Sequence, residues 1–177
     1  MATRKKAAKK AVFDEKKFWT WLRSGLRSMS RRYPPIYEAL AAAKRPYTGD
    51  NKKQKVCYEC AKCGTLESAK NVAVDHTIDC GKLASWEDVQ GFMARLFCGK
   101  DGLAVLCHTC HDVKTYQSKY NVSEAEAIIA KEAAKIMKLS KEKILAYLQQ
   151  AGYDVSTLTN VAKRKEAVIN HLKRNTK

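Results

Sequence analysis

Apolar residues recur at helical spacing through most of this chain, and the pattern turns strand-like only near its middle. Asp14 is placed as a helix N-cap, and Phe18, Trp19, Leu22, Leu26 and Met29 follow on one stripe. Arg23, Arg27, Arg31 and Arg32 gather beside that stripe, so the segment reads as a basic amphipathic helix in which Trp19 and Trp21 are packing residues. Pro34-Pro35 ends it and starts a second helix through Ile36, Leu40 and a run of alanines, which Pro46 stops; residues 47–55 read as a linker.

The centre runs differently. Clustered cysteines precede the short apolar run Val72-Ala73-Val74, a strand leading into Asp75-His76. Ser85 and Asp88 form a capping box for a helix whose broad apolar face is Trp86, Val89, Phe92, Met93, Leu96 and Phe97. Leu103-Ala104-Val105-Leu106 is a second short strand, entering Cys107-His108-Thr109-Cys110-His111 and a helix to about residue 119. The order is cysteine turn, strand, helix, strand, cysteine turn, helix.

Beyond Asn121 the pattern is helical again. Ser123 and Glu126 cap a helix with Ile128, Ile129, Ala133, Ile136 and Met137 on one side. Ser140 caps another through Ile144, Leu145 and Leu148, stopped by Gly152, and a last helix spans about Asn160 to Leu172. Gly152-Tyr153 followed by Lys163-Arg164-Lys165 faintly resembles small helix-extended-helix DNA-binding modules; a plain helical hairpin packed on the core is the alternative.

A chain of 177 residues with 45% hydrophobic content fits one medium domain with appendages and excludes a large multidomain enzyme. No apolar run approaches the roughly 20 residues that cross a bilayer, and no apolar stretch follows the charged start as in a signal peptide. The expectation is therefore a soluble, cytoplasmic protein with no membrane partner. The net charge of +16 points to a polyanionic partner. It is unevenly spread: +12 over residues 1–55, −1 over 56–120 and +5 over 121–177.

All seven cysteines fall in the neutral centre, and an odd number without a secretion signal favours metal over disulfides. Cys60-x-x-Cys63 and Cys107-x-x-Cys110 each let two thiolates of a tight turn face one ion, and together they complete a tetrahedral zinc site. Cys57-x-x-Cys60 is a competing pair, so Cys57 in place of Cys63 stays open. Cys80 and Cys98 read as core thiols, with a role in a second metal site as the alternative.

Zinc would close the two cysteine turns together, bringing Asp75-His76 at a strand end and His111 at a helix start into one small unit. An acid and a histidine that hold a divalent ion, beside a neutral histidine that takes a proton from water, suit metal-assisted phosphodiester hydrolysis. An unperturbed histidine titrates near pH 6.5 and serves as a base at physiological pH. The structural alternatives are a local hydrogen bond for Asp75-His76, and a zinc ligand or helix cap for His111.

Cys60-x-x-Cys63-Gly64, Val74-Asp75-His76, Leu103-Ala104-Val105-Leu106-Cys107-x-x-Cys110-His111 and Lys114-Thr115 together resemble the zinc-knuckle branch of the HNH endonucleases. Arg95-Leu96-Phe97-Cys98 with Gly102 onward, Trp21-Leu22-Arg23-Ser24-Gly25 and Ala41-Ala42-Ala43-Lys44-Arg45-Pro46 look like small bacteriophage-encoded HNH proteins. The core resemblance covers residues 57–119. It implies an α+β fold with a central ββα-metal core stapled by zinc and flanked by basic, mainly helical segments. It also implies His76 as general base, Asp75 and His111 as ligands of a catalytic Mg²⁺ or Mn²⁺, Cys60, Cys63, Cys107 and Cys110 on structural Zn²⁺, and Lys114 near a phosphate. One departure stands out: Gly102 occupies the position of the family's middle Asn, which braces the loop between the two strands, and Asp101 or glycine turn geometry would have to replace it.

The segments expected on this reading are a disordered basic tail (1–12), a basic helical segment (13–55), the nuclease core (56–120) and a helical C-terminal segment (121–177). The implied function is a metal-dependent DNA endonuclease that nicks or cuts double-stranded DNA as a monomer or homodimer, in phage DNA metabolism or as a homing enzyme in the host cytoplasm. Arg23, Arg27, Arg31, Arg32, Lys163, Arg164 and Lys165 would contact DNA, with His108 a weaker candidate; a solvated helix face is the plain reading of the arginines. The alternative function is a zinc-knuckle nucleic-acid-binding protein with a weakened or lost nuclease site. A thiol enzyme is disfavoured because no thioredoxin-like pattern surrounds the cysteines.

Overall fold

The structure, a computed structural model, describes residues 13–175. The tail expected at 1–12 lies outside the described residues. The first helix, α1 (Glu15–Ser30), starts where the Asp14 carboxylate accepts from the Lys17 amide, and α2 (Pro34–Ala43) starts on its two prolines. Contrary to the sequence expectation, α2 stops at Ala43, and Lys44–Pro46 form an edge strand, β1, where proline is tolerated. It pairs antiparallel with β2 (Val56–Glu59), which pairs with β3 (Leu66–Glu67). Residues 47–55 are thus the loop of a hairpin, closed by Tyr47 N–H on the Lys55 carbonyl, and the pairing crosses the segment boundary expected at 55/56.

The second sheet positions the chemistry. Strand β4 (Val72–His76) and β5 (Leu103–Cys107) are antiparallel, with Val72 opposite Cys107 at one end and His76 opposite Leu103 at the other. Between them the chain makes an excursion, residues 77–102, carrying α3 (Trp86–Leu96) behind the Ser85/Asp88 capping box. Helix α4 (His108–Tyr120) begins directly at the end of β5, with the Cys107 sulfur accepting from the Cys110 amide at 3.5 Å. Helices α5 (Glu124–Ile136), α6 (Lys141–Gln150) and α7 (Val161–Asn175) follow.

Burial divides into three clusters. Trp19 of α1 packs with Cys80, Leu83, Phe92 and Leu96, joining the basic helix to α3. Ala133, Ile144, Leu148, Leu158, Ala167 and Val168 form a separate C-terminal core. Cys60, Leu106 and Cys107 make up the third, very small cluster. No described helix is long and apolar enough to cross a membrane.

Three expectations need correction. Trp21 is 69% exposed, because it lies two positions from buried Trp19 and so on a different helix face. Trp86, expected on the apolar face of α3, is equally exposed, although its ring sits edge-on to Trp19 at 5.1 Å. Arg164, expected to contact DNA, is only 7% exposed: its Nη1 donates to the Leu158 and Thr159 carbonyls at 3.0 and 3.3 Å and ties the turn before α7 to the helix. A guanidinium turned into the core is out of reach of phosphate, which leaves its exposed neighbours Lys163 and Lys165 on that helix.

Candidate functional site

The two cysteine turns meet. The sulfurs of Cys60, Cys63, Cys107 and Cys110 all lie within 4.8 Å of one another, with Cys63 and Cys107 at 3.8 Å. A tetrahedron with Zn–S near 2.3 Å has sulfur–sulfur edges of about 3.8 Å, so both donor set and spacing fit zinc. Local structure explains the convergence: Gly64, at φ +71, closes the first turn by donating to the Cys60 carbonyl, and Ala61 N–H donates to the Val105 carbonyl, fastening that turn to β5. Cys57 is settled as a bystander. It is buried in β2 with its sulfur 3.4 and 3.6 Å from the Pro46 and Arg45 carbonyls of β1. Cys80 and Cys98 also stand outside the group.

The thiols are unequal. For Cys60, burial pushes the thiol up, but backbone N–H groups of Cys107, Cys63 and Lys62 outweigh it and the net shift is downward. Cys63 is held down to about 6 by the Thr65 hydroxyl, 3.0 Å from its sulfur, and by the Thr65 amide. Burial and the neighbouring sulfurs push Cys110 up. Crowded thiols that cannot all ionise alone can do so around a dication.

Beside this centre lies a groove of about 730 Å³, lined by Asp75 and His76 of β4, His111, Lys114 and Ser118 of α4, Arg27 of α1 and Arg31 at the C-cap of that helix, among others. Helical spacing puts His111, Lys114 and Ser118 on one face of α4, while Cys110 is committed to the sulfur cluster and Val113 is buried. Position 110 thus orients position 111. Likewise Arg27 and the C-cap residue Arg31, four positions on and still with helical backbone, reach the groove together. Arg23 lines a different cavity with Trp19 and Leu83, and Arg32 is exposed away from the groove.

Within the groove, His76 Nε2 donates to the Leu96 carbonyl at 3.0 Å. A carbonyl only accepts, so Nε2 carries a proton, and in the neutral ring the lone pair is then on Nδ1. The Lys114 ammonium donates to Asp75 Oδ2 at 2.7 Å and to the His76 carbonyl. A cation therefore already stands at the carboxylate expected to hold one. Asp79 is held below the usual carboxylate range by the Ser118 hydroxyl at 2.6 Å, the Gly81 amide, and then the charges of Arg27 and Lys114.

Gly102 is explained by its neighbours. A Cβ there would lie 2.6 Å from the Cys98 sulfur, which fills the space of the missing side chain. Bracing comes from Thr77 instead, whose N–H and hydroxyl donate to the Gly102 carbonyl at 2.9 and 3.1 Å, directly beside His76. Asp101 is exposed. Sequence reading misses the roles of Thr77, Leu96 and Asp79: Thr77 and Asp79 lie outside every motif, and Leu96 enters only through its apolar side chain, not its carbonyl. His108 is exposed at the second cysteine turn.

Comparison with protein-family models, with curated proteins and with solved structures finds no match to this chain.

Proposed function

We propose that this protein is a metal-dependent DNA endonuclease of the HNH type, with residues 56–120 as a zinc-stapled ββα-metal core. The observation that carries the reading is the groove itself: an acid, two histidines and a lysine converge on β4 and α4, beside four clustered cysteines and facing two arginines at the C-terminal end of α1. Asp75 and His111 suit a Mg²⁺ or Mn²⁺ ion, since such ions take one or two protein ligands and complete their shell with water and phosphate. When bound, that ion supplies Lewis-acid polarisation of a phosphoryl oxygen.

The protein's own groups do the rest. His76, its Nε2 proton committed to Leu96, accepts a proton from water at Nδ1. Arg27 and Arg31 neutralise phosphates and hold the duplex against the groove. Lys114 holds Asp75 in the DNA-free protein and supplies positive charge next to a bound phosphate. Lys163 and Lys165 extend the basic surface on α7.

The test is incubation of supercoiled plasmid, and of DNA from the protein's own source, with purified protein and Mg²⁺ or Mn²⁺. Relaxed or linear product that disappears with EDTA is expected. Tight, salt-sensitive binding without cleavage of any substrate favours the alternative, a nucleic-acid-binding protein that does not cut. Binding itself carries a second prediction. Arg27→Ala and Arg31→Ala are each expected to flatten the slope of log affinity against log salt by about 0.9. Arg164→Met should leave that slope unchanged while costing about 1–3 kcal/mol of stability in a thermal melt, because the Leu158 and Thr159 carbonyls lose their donor.

A further inference from the structure

Residues 77–102 leave β4 at His76 and return to β5 at Leu103, so their path decides what lies over that histidine. What lies there is the last turn of α3. Carbonyls at a helix C-terminus have no partner within the helix, and the negative end of the helix dipole favours an N–H donor. The Leu96 carbonyl meets both conditions and receives the His76 Nε2 proton.

The same turn is held at two further points. Tyr33, between α1 and α2, donates its hydroxyl to the Phe97 carbonyl at 3.2 Å, with the two rings edge to face. Arg95 Nε donates to the Cys80 carbonyl at 3.1 Å. Cys80 belongs to the segment that leaves His76, so Arg95 closes a ring of contacts from His76 through Cys80, Arg95 and Leu96 back to His76. The guanidinium lies in space kept clear by two glycines. A Cβ at Gly81 would approach Nη2 to 3.2 Å, and one at Gly91 would approach Nη1 to 3.2 Å.

We propose that Arg95 is the positioning residue for His76: by tying the end of α3 to Cys80, it keeps the Leu96 carbonyl on Nε2 and thereby sets which ring nitrogen is bare. Arg95 touches no substrate and acts through Leu96. The proposal rests on the reading of His76 as the base, and its test has an arm that does not need cleavage.

That arm is ¹⁵N NMR of the His76 ring in the full-length, zinc-loaded protein above the pH at which histidine is charged. Wild type should show one tautomer, protonated at Nε2. Arg95→Met, which keeps the aliphatic stem and loses the donor, should show both tautomers, and in the plasmid assay a roughly tenfold lower kcat with little change in KM. Gly91→Ala is the second variant. Alanine favours the helix, so its melting temperature should hold or rise, while the crowded guanidinium shifts the ring signals in the same direction as Arg95→Met. A folded Arg95→Met protein with the wild-type tautomer overturns the proposal; should that variant not fold, unchanged ring signals in Gly91→Ala do so. Absence of cleavage by wild type would instead remove the endonuclease reading and leave the NMR arm to decide the role of Arg95.

Discussion

Stripping metal with a strong chelator is expected to abolish the thermal transition of the unit built from β2 to β5 and α4, while α5 to α7 keep their helical signal. The reason is the size of the apolar core at that point. Its buried cluster is Cys60, Leu106 and Cys107, two of which are themselves members of the sulfur group, and Cys57, Val105 and Val113 are the other buried apolar residues of these elements. A structural zinc site contributes on the order of 10 kcal/mol or more to folding, far above what so few buried side chains supply. The C-terminal helices have their own core around Leu148 and Val168, which contains none of the sulfurs. Lowering the pH should act in the same direction, because zinc uptake must displace protons, most of all from Cys110, whose thiol is pushed up. Hydrogen exchange on protein verified zinc-free by elemental analysis reads out both halves. Retention of the original transition in zinc-free protein would show that the cysteines are merely packed. Cys63→Ser should mimic chelation, and Cys57→Ser should not, since Cys57 faces the Arg45 and Pro46 carbonyls.

His76→Ala is expected to lower plasmid cleavage by about 10²- to 10⁴-fold, the usual contribution of a general base, with DNA affinity at fixed salt unchanged. Its Nε2 is spent on Leu96, so the substitution removes one hydrogen bond and the Nδ1 acceptor together. The thermal melt separates the two losses. A structural histidine would lower the melting temperature and leave the cleavage rate of the remaining folded protein intact. Cleavage that survives the substitution removes His76 from its role. Asp75→Asn complements the test by retaining shape at the Lys114 contact while weakening a divalent-ion ligand.

How much of this was legible beforehand differs residue by residue. The cysteine spacing alone proposed Cys60, Cys63, Cys107 and Cys110, yet Cys57-x-x-Cys60 has the same spacing, and nothing local separates the two pairs. The choice lies in the β1 to β2 pairing, which buries Cys57 against a strand twelve residues away that the helical run of alanines concealed. Helical period placed Arg27 and Arg31 on one face, but the same period placed Arg23 there too; the packing of Trp19 against Leu83 turns the helix so that only the later pair reaches the groove. Lys163, Arg164 and Lys165 form one basic run in sequence, and the Leu158 and Thr159 carbonyls, accepting from its guanidinium, hold the middle member inward.

The chain by itself determined the elements and the ligand chemistry: cap residues, apolar period and two-residue cysteine turns act over a few positions and leave a direct mark. Only the tertiary structure decided which sulfurs meet, which arginines face the groove, and what stands behind His76. Those outcomes depend on contacts between residues 12 to 64 positions apart, such as Cys57 with Arg45, His76 with Leu96, Cys63 with Cys107, and Trp19 with Leu83. A carbonyl at the end of a helix has no signature in its own side chain, and its effect on a histidine exists only once the chain has folded back.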